Sequence, residues 1–445
     1  MFTGTAILAV TLAAVCDSVE SASWTLEKCL ARGLEEGIEL QKGNVDVKAA
    51  REEKNLTFLD FLPELNFYTA EDFNWGRSVD MQELVIVNDK ASSASSVSAS
   101  ASLSSGTLIN AGLDCHRRRS AVDRAVAQRD GIRENLAIEI TEAYLEMLLS
   151  YRMYDIAKAN YDNILVQKDR VEKEVEAGKV PYGSLFEIEA QAASEREALT
   201  EAEGRSRKAL IALSGYLNLS PGEKLTVSPP ADGSVPSPDI LPDISDIPRI
   251  ISGNPRMKSA EAALRFSRTS RASALLDLLP DFSVTGAYST GYSSMAKGDA
   301  GEQYRNNLNP AINLTISVPI LSGSGNILKY RNAGREAATL AMDREKCRRD
   351  LYCEMEKALT EAVNSYEICL AAEENKTAME KSFRTNEARF EAGMISGSEY
   401  LICRNNFQKA VALYWQARYK YLFQLKVIDF RMGLKPGREG KTFKL

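Results

Sequence analysis

Histidine is nearly absent from this 445-residue chain, where His116 is the only one. A lone imidazole leaves no Ser/His/Asp or Cys/His arrangement with a spare base. Cysteine numbers seven, and none of Cys16, Cys29, Cys115, Cys347, Cys353, Cys369 or Cys403 stands in a C-x-x-C pair. Zinc and haem sites need cleaner spacing, so no metal or cofactor is expected and the cysteines read as small apolar residues on helix faces. Carboxylates are plentiful but fall at helical surface spacing. The turn Gly323-Ser324-Gly325 lacks the further glycine and the Lys-Ser/Thr of a phosphate loop. The net charge is −6, with 44% hydrophobic and 26% charged residues, which argues against a basic nucleic-acid face. The chain is not expected to be an enzyme or to bind nucleic acid.

Long apolar runs are missing beyond the N-terminus, so no transmembrane helix is expected. The exception is Thr5–Val15, TAILAVTLAAV. It is too short to cross a bilayer as a helix and the right size for a secretory h-region, and small residues at Ser21–Ser23 offer a cleavage site. Residues 1–23 are therefore expected to be a signal peptide, with no Lys or Arg in its n-region. Cys16 raises the question of acylation, although Val15 before it is bulky for a lipobox.

What is present is periodicity of two kinds. Four segments alternate with period two: LNFYTAEDF (Leu65–Phe73), SVSASASLS (Ser96–Ser104), FSVTGAYSTGY (Phe282–Tyr292) and AINLTISVP (Ala311–Pro319). In the second, every even position is Ser and the odd ones are Val97, Ala99, Ala101 and Leu103. Such parity predicts strands with one apolar and one polar face, of a length that crosses a bilayer when tilted. The strands come as two pairs, each joined by a polar loop. Four strands cannot close a barrel, and open edges in lipid leave backbone groups unpaired, so strands of this kind require several copies of the chain.

The remainder predicts helix. Asn110–Ala177 and Gly325–Ala392 contain no proline, and each would be roughly 100 Å long at about 1.5 Å per residue. Apolar residues recur at three- and four-residue steps, as in Leu136, Ile140, Tyr144, Met147 and Tyr151. Shorter helical stretches, Trp24–Leu62, Ser184–Leu219, Pro248–Leu279 and Gly397–Met432, are about half as long, so two stacked end to end match one long helix. The order repeats: FLPELNFY at Phe61 answers LLPDFSVT at Leu278, and EAGKVPYGS at Glu176 answers EAGMISGSE at Glu391. We read an internal duplication. The first repeat is 24–219, with its strand pair at 64–104 and long helix at 110–177. A Pro-, Asp- and Ser-rich linker follows at 220–247. The second repeat is 248–432, with its strand pair at 281–320 and long helix at 325–392, and a tail takes 433–445.

Gly178 and Gly393 end the long helices, where a glycine adopts the left-handed cap conformation cheaply. Ser396 followed by Glu399 is a capping box that restarts the helix. In the first copy Pro181 takes the serine's place, and Ser184 with Glu187 makes a box one turn later. Glu399 has two readings, as a helix cap and as a member of a ring of carboxylates, and the two can coexist. The basic run His116–Arg119 reads either as a solvated or inter-subunit ion-pair cluster or as an attractor for anionic headgroups or cargo.

With WTLEKCL at Trp24, FLPELNFYTAEDFNWGRSVD before and through the first strand, VPILSGSG at Val318 and the two Gly breaks, the chain resembles the TolC-type outer-membrane efflux proteins over everything after the leader. The resemblance implies a mainly α protomer with membrane β-barrel strands, four per protomer. It implies a trimeric twelve-stranded barrel in the outer membrane and a long-helix α-barrel extending into the periplasm. The implied partners are outer-membrane lipid, two further copies in a homotrimer, a periplasmic adaptor protein and an inner-membrane pump. Matching by the glycines puts the pore-aperture positions on Phe390, Ile395, Glu399 and Ile402, with Ser184 as the counterpart in the first repeat. The adaptor-contacting tips fall at Gly178, Pro181, Gly393 and Ser396. Ile402 stands where the family often has an acidic residue and Ile395 where it has an arginine, so the aperture is expected to rest more on apolar packing than on ion pairs. A rival reading is an exported periplasmic coiled-coil adaptor or tether without a pore.

Overall fold

The computed structural model describes residues 24–76, 78–80, 85–87, 91–220, 225–227, 235–320 and 324–433. The expected signal peptide, Cys16 and residues 434–445 of the expected tail lie outside them, as do parts of the linker and of the first strand loop. No described helix is long and apolar enough to cross a membrane.

The chain opens with α1 (Leu26–Glu36) and α2 (Ile38–Leu56), then a short 3-10 turn at Thr57–Phe61. The single stretch expected over Trp24–Leu62 is thus interrupted at Gly37. β1 (Glu64–Asn74) and β4 (Ser92–Ser104) follow, with a small hairpin, β2 (Ser78–Asp80) and β3 (Val85–Val87), in the loop between them. α3 (Ser105–Glu176) and α4 (Gly183–Tyr216) complete the first repeat. The second runs α5 (Ile247–Gly253), α6 (Pro255–Leu276), β5 (Asp281–Ser293), α7 (Ala300–Asn306), β6 (Asn309–Ser317), α8 (Gly325–Glu391) and α9 (Gly397–Arg431).

The chain folds as two compact units, and each draws on both repeats. One combines the segment ending at Gly37 with Asn135–Leu241 and the segment beginning at Lys357. Its core is a helical stripe. Leu26, Cys29 and Leu30 of α1 pack with Ala137, Ile140, Tyr144 and Leu148 of α3, Leu213 of α4, and Tyr419, Leu422 and Phe430 of α9. The three- and four-residue spacing on α3 places these side chains one above the next on a single face. Tyr151 continues that row but is exposed. A parallel bridge from Trp24 to Val227 and a 2.8 Å bond from Tyr421 Oη to Pro236 O tie linker residues to this unit.

The other unit, Ile38–Glu134 with Pro242–Glu356, carries the sheet. The antiparallel order is β1-β4-β5-β6, so the strands of the two repeats meet at β4 and β5. α3 begins directly after β4, five residues earlier than expected. The cause lies in the other repeat: Asp281 Oδ1 accepts from Gly106 N at 2.7 Å and from Ser105 Oγ at 3.0 Å. That carboxylate satisfies an N–H that the first helical turn otherwise leaves open.

Candidate channel wall and helical tips

The register decides what the sheet presents. Directly opposed residues of an antiparallel pair share a face. Leu65 faces Ala101, which faces Gly286, which faces Ile312. Phe67, Ala99, Tyr288 and Pro310 form the next row, and Leu103, Val284 and Leu314 another. The apolar parities of all four strands therefore coincide on one side. The opposite side is largely hydroxyl and amide: Asn66 and Ser100 begin one row, which runs on to Ala287 and Ala311, and Ser102, Thr285 and Asn313 form another. Leu65, Phe67, Phe73, Phe282, Val284, Tyr288, Leu314 and Ile316 are all exposed, and Ile312 is 84% exposed. An apolar face left bare on one side with a Ser/Thr/Asn face behind it suits a wall between lipid and water.

The loop end of the sheet carries aromatic residues. The rings of Phe73 and Trp75 stack at 6.4 Å, and Tyr292 and Tyr304 lie 6.4 Å apart. Rings at this level match the aromatic girdles of membrane barrels. The loop after β5 is folded back on the sheet by buried Gln303, which accepts from Ser293 N at 2.9 Å and donates to Ser293 O, Ala296 O and Gly298 O.

The two helix-to-helix tips belong to the other unit and close identically. Gly178 has φ +67° and Gly393 φ +72°. Lys179 N bonds Glu174 O and Gly178 N bonds Val175 O, while Met394 N bonds Arg389 O and Gly393 N bonds Phe390 O. Each is a Schellman motif, which spends the last helical carbonyls on the turn itself.

Beyond the glycine the tips diverge. Ser396 has extended backbone and its hydroxyl accepts from Glu399 N at 3.2 Å, while the Glu399 carboxylate accepts from Ser396 N at 3.1 Å. The capping box is present as read. The box expected at Ser184 and Glu187 is not formed. α4 starts at Gly183 without a side-chain cap, and Ser184 N donates to Pro181 O at 3.0 Å. Ser184 is half-buried inside the first turn, and Pro181 is exposed in the turn before it.

The second tip is braced by rings. Phe390 stacks on Tyr400 at 4.6 Å, Tyr400 lies 5.8 Å from Phe383, and Phe383 stacks on Phe407 at 5.4 Å. Arg170 of α3 sits 5.1 Å over the Phe390 ring and bonds Glu174 at 3.0 Å. The structure thus brings Phe390 together with Arg170 and Tyr400, and Glu399 together with Ser396. Ile402 is exposed and Ile395 half-buried, and neither joins these clusters. The first tip instead exposes an aromatic pair, Tyr182 just before α4 and Phe186 in its first turn, with rings 5.4 Å apart.

One residue at this level went unread in the sequence. Arg404 of α9 is only 6% exposed, and its Nη2 donates to Ala159 O of α3 at 3.2 Å. Burial pushes its guanidinium pKa down. Its spacing was a usable signal, because Tyr400, Arg404 and Phe407 follow each other at four and three residues in the row that packs.

A four-stranded sheet with a lipid-suited face, in a chain otherwise made of long helices, is the make-up of an outer-membrane channel protomer. Residues 31–219 and 247–433 match the outer membrane efflux protein family, one match per repeat. The chain belongs to that family, and so to the outer membrane. A search of curated protein sequences finds no match. Among solved structures, the fold is similar to the CmeC outer membrane channel of Campylobacter jejuni, with TM-score 0.81 and 14% identity, covering 92% of this chain and 85% of that one. It is similar to the open state of the MtrE outer membrane channel of Neisseria gonorrhoeae at TM-score 0.76 and 16% identity, covering 93% and 91%. It also resembles the outer membrane protein VceC of Vibrio cholerae at TM-score 0.74 and 13% identity, covering 92% and 97%.

Proposed function

We propose that three copies of this chain close a twelve-stranded barrel and form a passive conduit out of the periplasm. The carrying observation is the sheet: one face is apolar and bare, and its outer strands β1 and β6 have no strand partner on their far sides among the described residues. In hydrocarbon each unpaired backbone group costs several kcal/mol, so the edges must pair. β1 and β6 run in opposite directions, since three antiparallel pairings separate them. β6 of one copy can therefore continue the antiparallel alternation with β1 of the next. Outer-membrane lipid would face the apolar side and water the Ser/Thr/Asn side.

At the periplasmic end the tips at Gly178–Pro181 and Gly393–Ser396 would seat an adaptor protein joined to an inner-membrane pump. Phe390, Ile395, Glu399, Ile402 and Ser184 would line or brace the aperture. Family membership and the matching tip closures support this reading. The rival, a pore-less coiled-coil adaptor or tether, leaves four alternating strands with an exposed apolar face unexplained. The test is the purified protein in detergent and in planar bilayers. A heat-modifiable trimer with steady conductance is expected, and a monomer that conducts nothing would refute the proposal.

A further inference from the structure

The bare apolar surface does not stop where the sheet stops. On β6 the exposed row Ile312, Leu314 and Ile316 continues past the last strand residue, Ser317, into Val318 and Ile320, the latter 91% exposed. Exposed Ile327 follows in the first turn of α8. At the opposite edge, the turn that leads into β1 exposes Phe58, Phe61 and Leu62. Phe61 stands three residues before β1 begins and Ile320 three residues after β6 ends. The helices on this side carry ordinary charged residues, with Arg118 of α3 bonded to Glu53 O of α2 and to Thr57 and Asp60 of that same turn. Two apolar patches at the helix-side ends of the two free edge strands thus lie among polar neighbours.

Resting on the reading that copies close through β6 and β1, we propose that these patches meet between copies. Phe58, Phe61 and Leu62 of one chain pack on Val318, Ile320 and Ile327 of the next, in a seam just beyond the paired strands. Antiparallel pairing of β6 with a neighbour's β1 sets the end of one strand beside the start of the other. The segments that continue them must then run side by side at that level. Two apolar segments there remove each other from water, and burial of large aromatic and branched side chains is favourable in proportion to the apolar area covered. The seam would add hydrophobic closure to the strand pairing and explain why large side chains remain bare outside the strands.

The test is a charge exchange read as the temperature at which the oligomer dissociates in SDS. Phe61→Lys and Ile320→Asp are each expected to lower it. The double variant Phe61→Lys/Ile320→Asp is expected to recover at least half of the larger loss, because the two charges would face each other across the seam. A double variant no better than the worse single one would overturn the seam, and is the result expected if both side chains face lipid. Recovery to the same extent in Phe61→Lys/Leu314→Asp, where the aspartate sits on the lipid-suited face, would also overturn it. A wild-type protein that is already monomeric removes the closure and the seam alike, whereas intact wild-type oligomers without recovery refute the seam alone.

Discussion

Ser396→Ala isolates what the capping box contributes to the second tip. The substitution removes the hydroxyl that accepts from Glu399 N at 3.2 Å and leaves the Schellman closure at Gly393 in place. Loss of an N-cap side chain costs about 1 kcal/mol, within a range of roughly 0.5–2. If the first turn of α9 opens locally, that cost appears as faster amide exchange there. About 1 kcal/mol corresponds to roughly a fivefold change, since 1.4 kcal/mol is tenfold. Hydrogen exchange read by mass spectrometry should therefore show the peptide from Gly397 to Ile402 exchanging about fivefold faster. Peptides from the α1–α3–α4 core should be unchanged. Ser396→Asp should behave like wild type, because aspartate caps as well as serine and its charge suits a helix N-terminus. Exchange within twofold of wild type in Ser396→Ala, or equal acceleration in Ser396→Asp, would refute the capping argument. Glu399→Gln asks about the other role, since glutamine can still reach back to Ser396 N. If the carboxylate lines the aperture, conductance at low salt should lose cation preference with this variant, and unchanged selectivity would leave only the cap.

Three further outcomes are expected. At Gly393, φ is +72° and an added Cβ would meet nothing within 4 Å, so any cost is conformational. Gly393→Asn should be tolerated and Gly393→Val should destabilise the tip by about 1–2 kcal/mol, read as protease sensitivity between Gly393 and Gly397. Phe390→Leu keeps an apolar side chain but loses the 4.6 Å stack on Tyr400 and the Arg170 contact; a loss of about 0.5–1.5 kcal/mol is expected, visible as faster exchange around Tyr400, and an additive double variant with Tyr400→Leu would refute the coupling. Cys29 is fully buried, and burial pushes its thiol up to about 12. A raised pKa means less thiolate at pH 8, so iodoacetamide should label exposed Cys353 at least about a hundredfold faster than Cys29; equal rates would contradict the core packing.

The strands were legible because their signal is local. Parity in each segment names its two faces without reference to any partner, and pairing then lengthened β4 back to Ser92 and β5 to Asp281 and Ser293. What parity could not name was the neighbour: that β4 meets β5 follows from pairing, not from either segment. The start of α3 was misread for a similar reason, since the carboxylate that closes its first turn, Asp281, belongs to the other repeat. The short helix α7 was missed although its signal was local: Asp299 accepts from Glu302 N at 2.8 Å, in a D-x-x-E spacing. Arg404 was passed over because a charged residue in a helical row reads as solvated, and only α3 beside it supplies a carbonyl that makes burial tolerable.

The two tips show where a motif and its geometry part company. Both copies carry Glu-Ala-Gly followed by a helix restart, and both glycines close the same pair of backbone bonds. At the second tip the chain leaves the turn extended, so the serine oxygen is free to receive the third N–H of the new helix. At the first, Pro181 holds its own φ near the helical range, and its carbonyl already accepts from Ser184 N. The helix has therefore begun before Ser184 is reached, and a Ser-x-x-Glu spacing inside a formed helix has no open N–H to cap. The duplicated plan preserves how each long helix ends while letting the restart differ. Only the second restart carries a carboxylate within its capping bonds, so in a closed ring of copies a charge placed by capping geometry would recur once per chain and not twice.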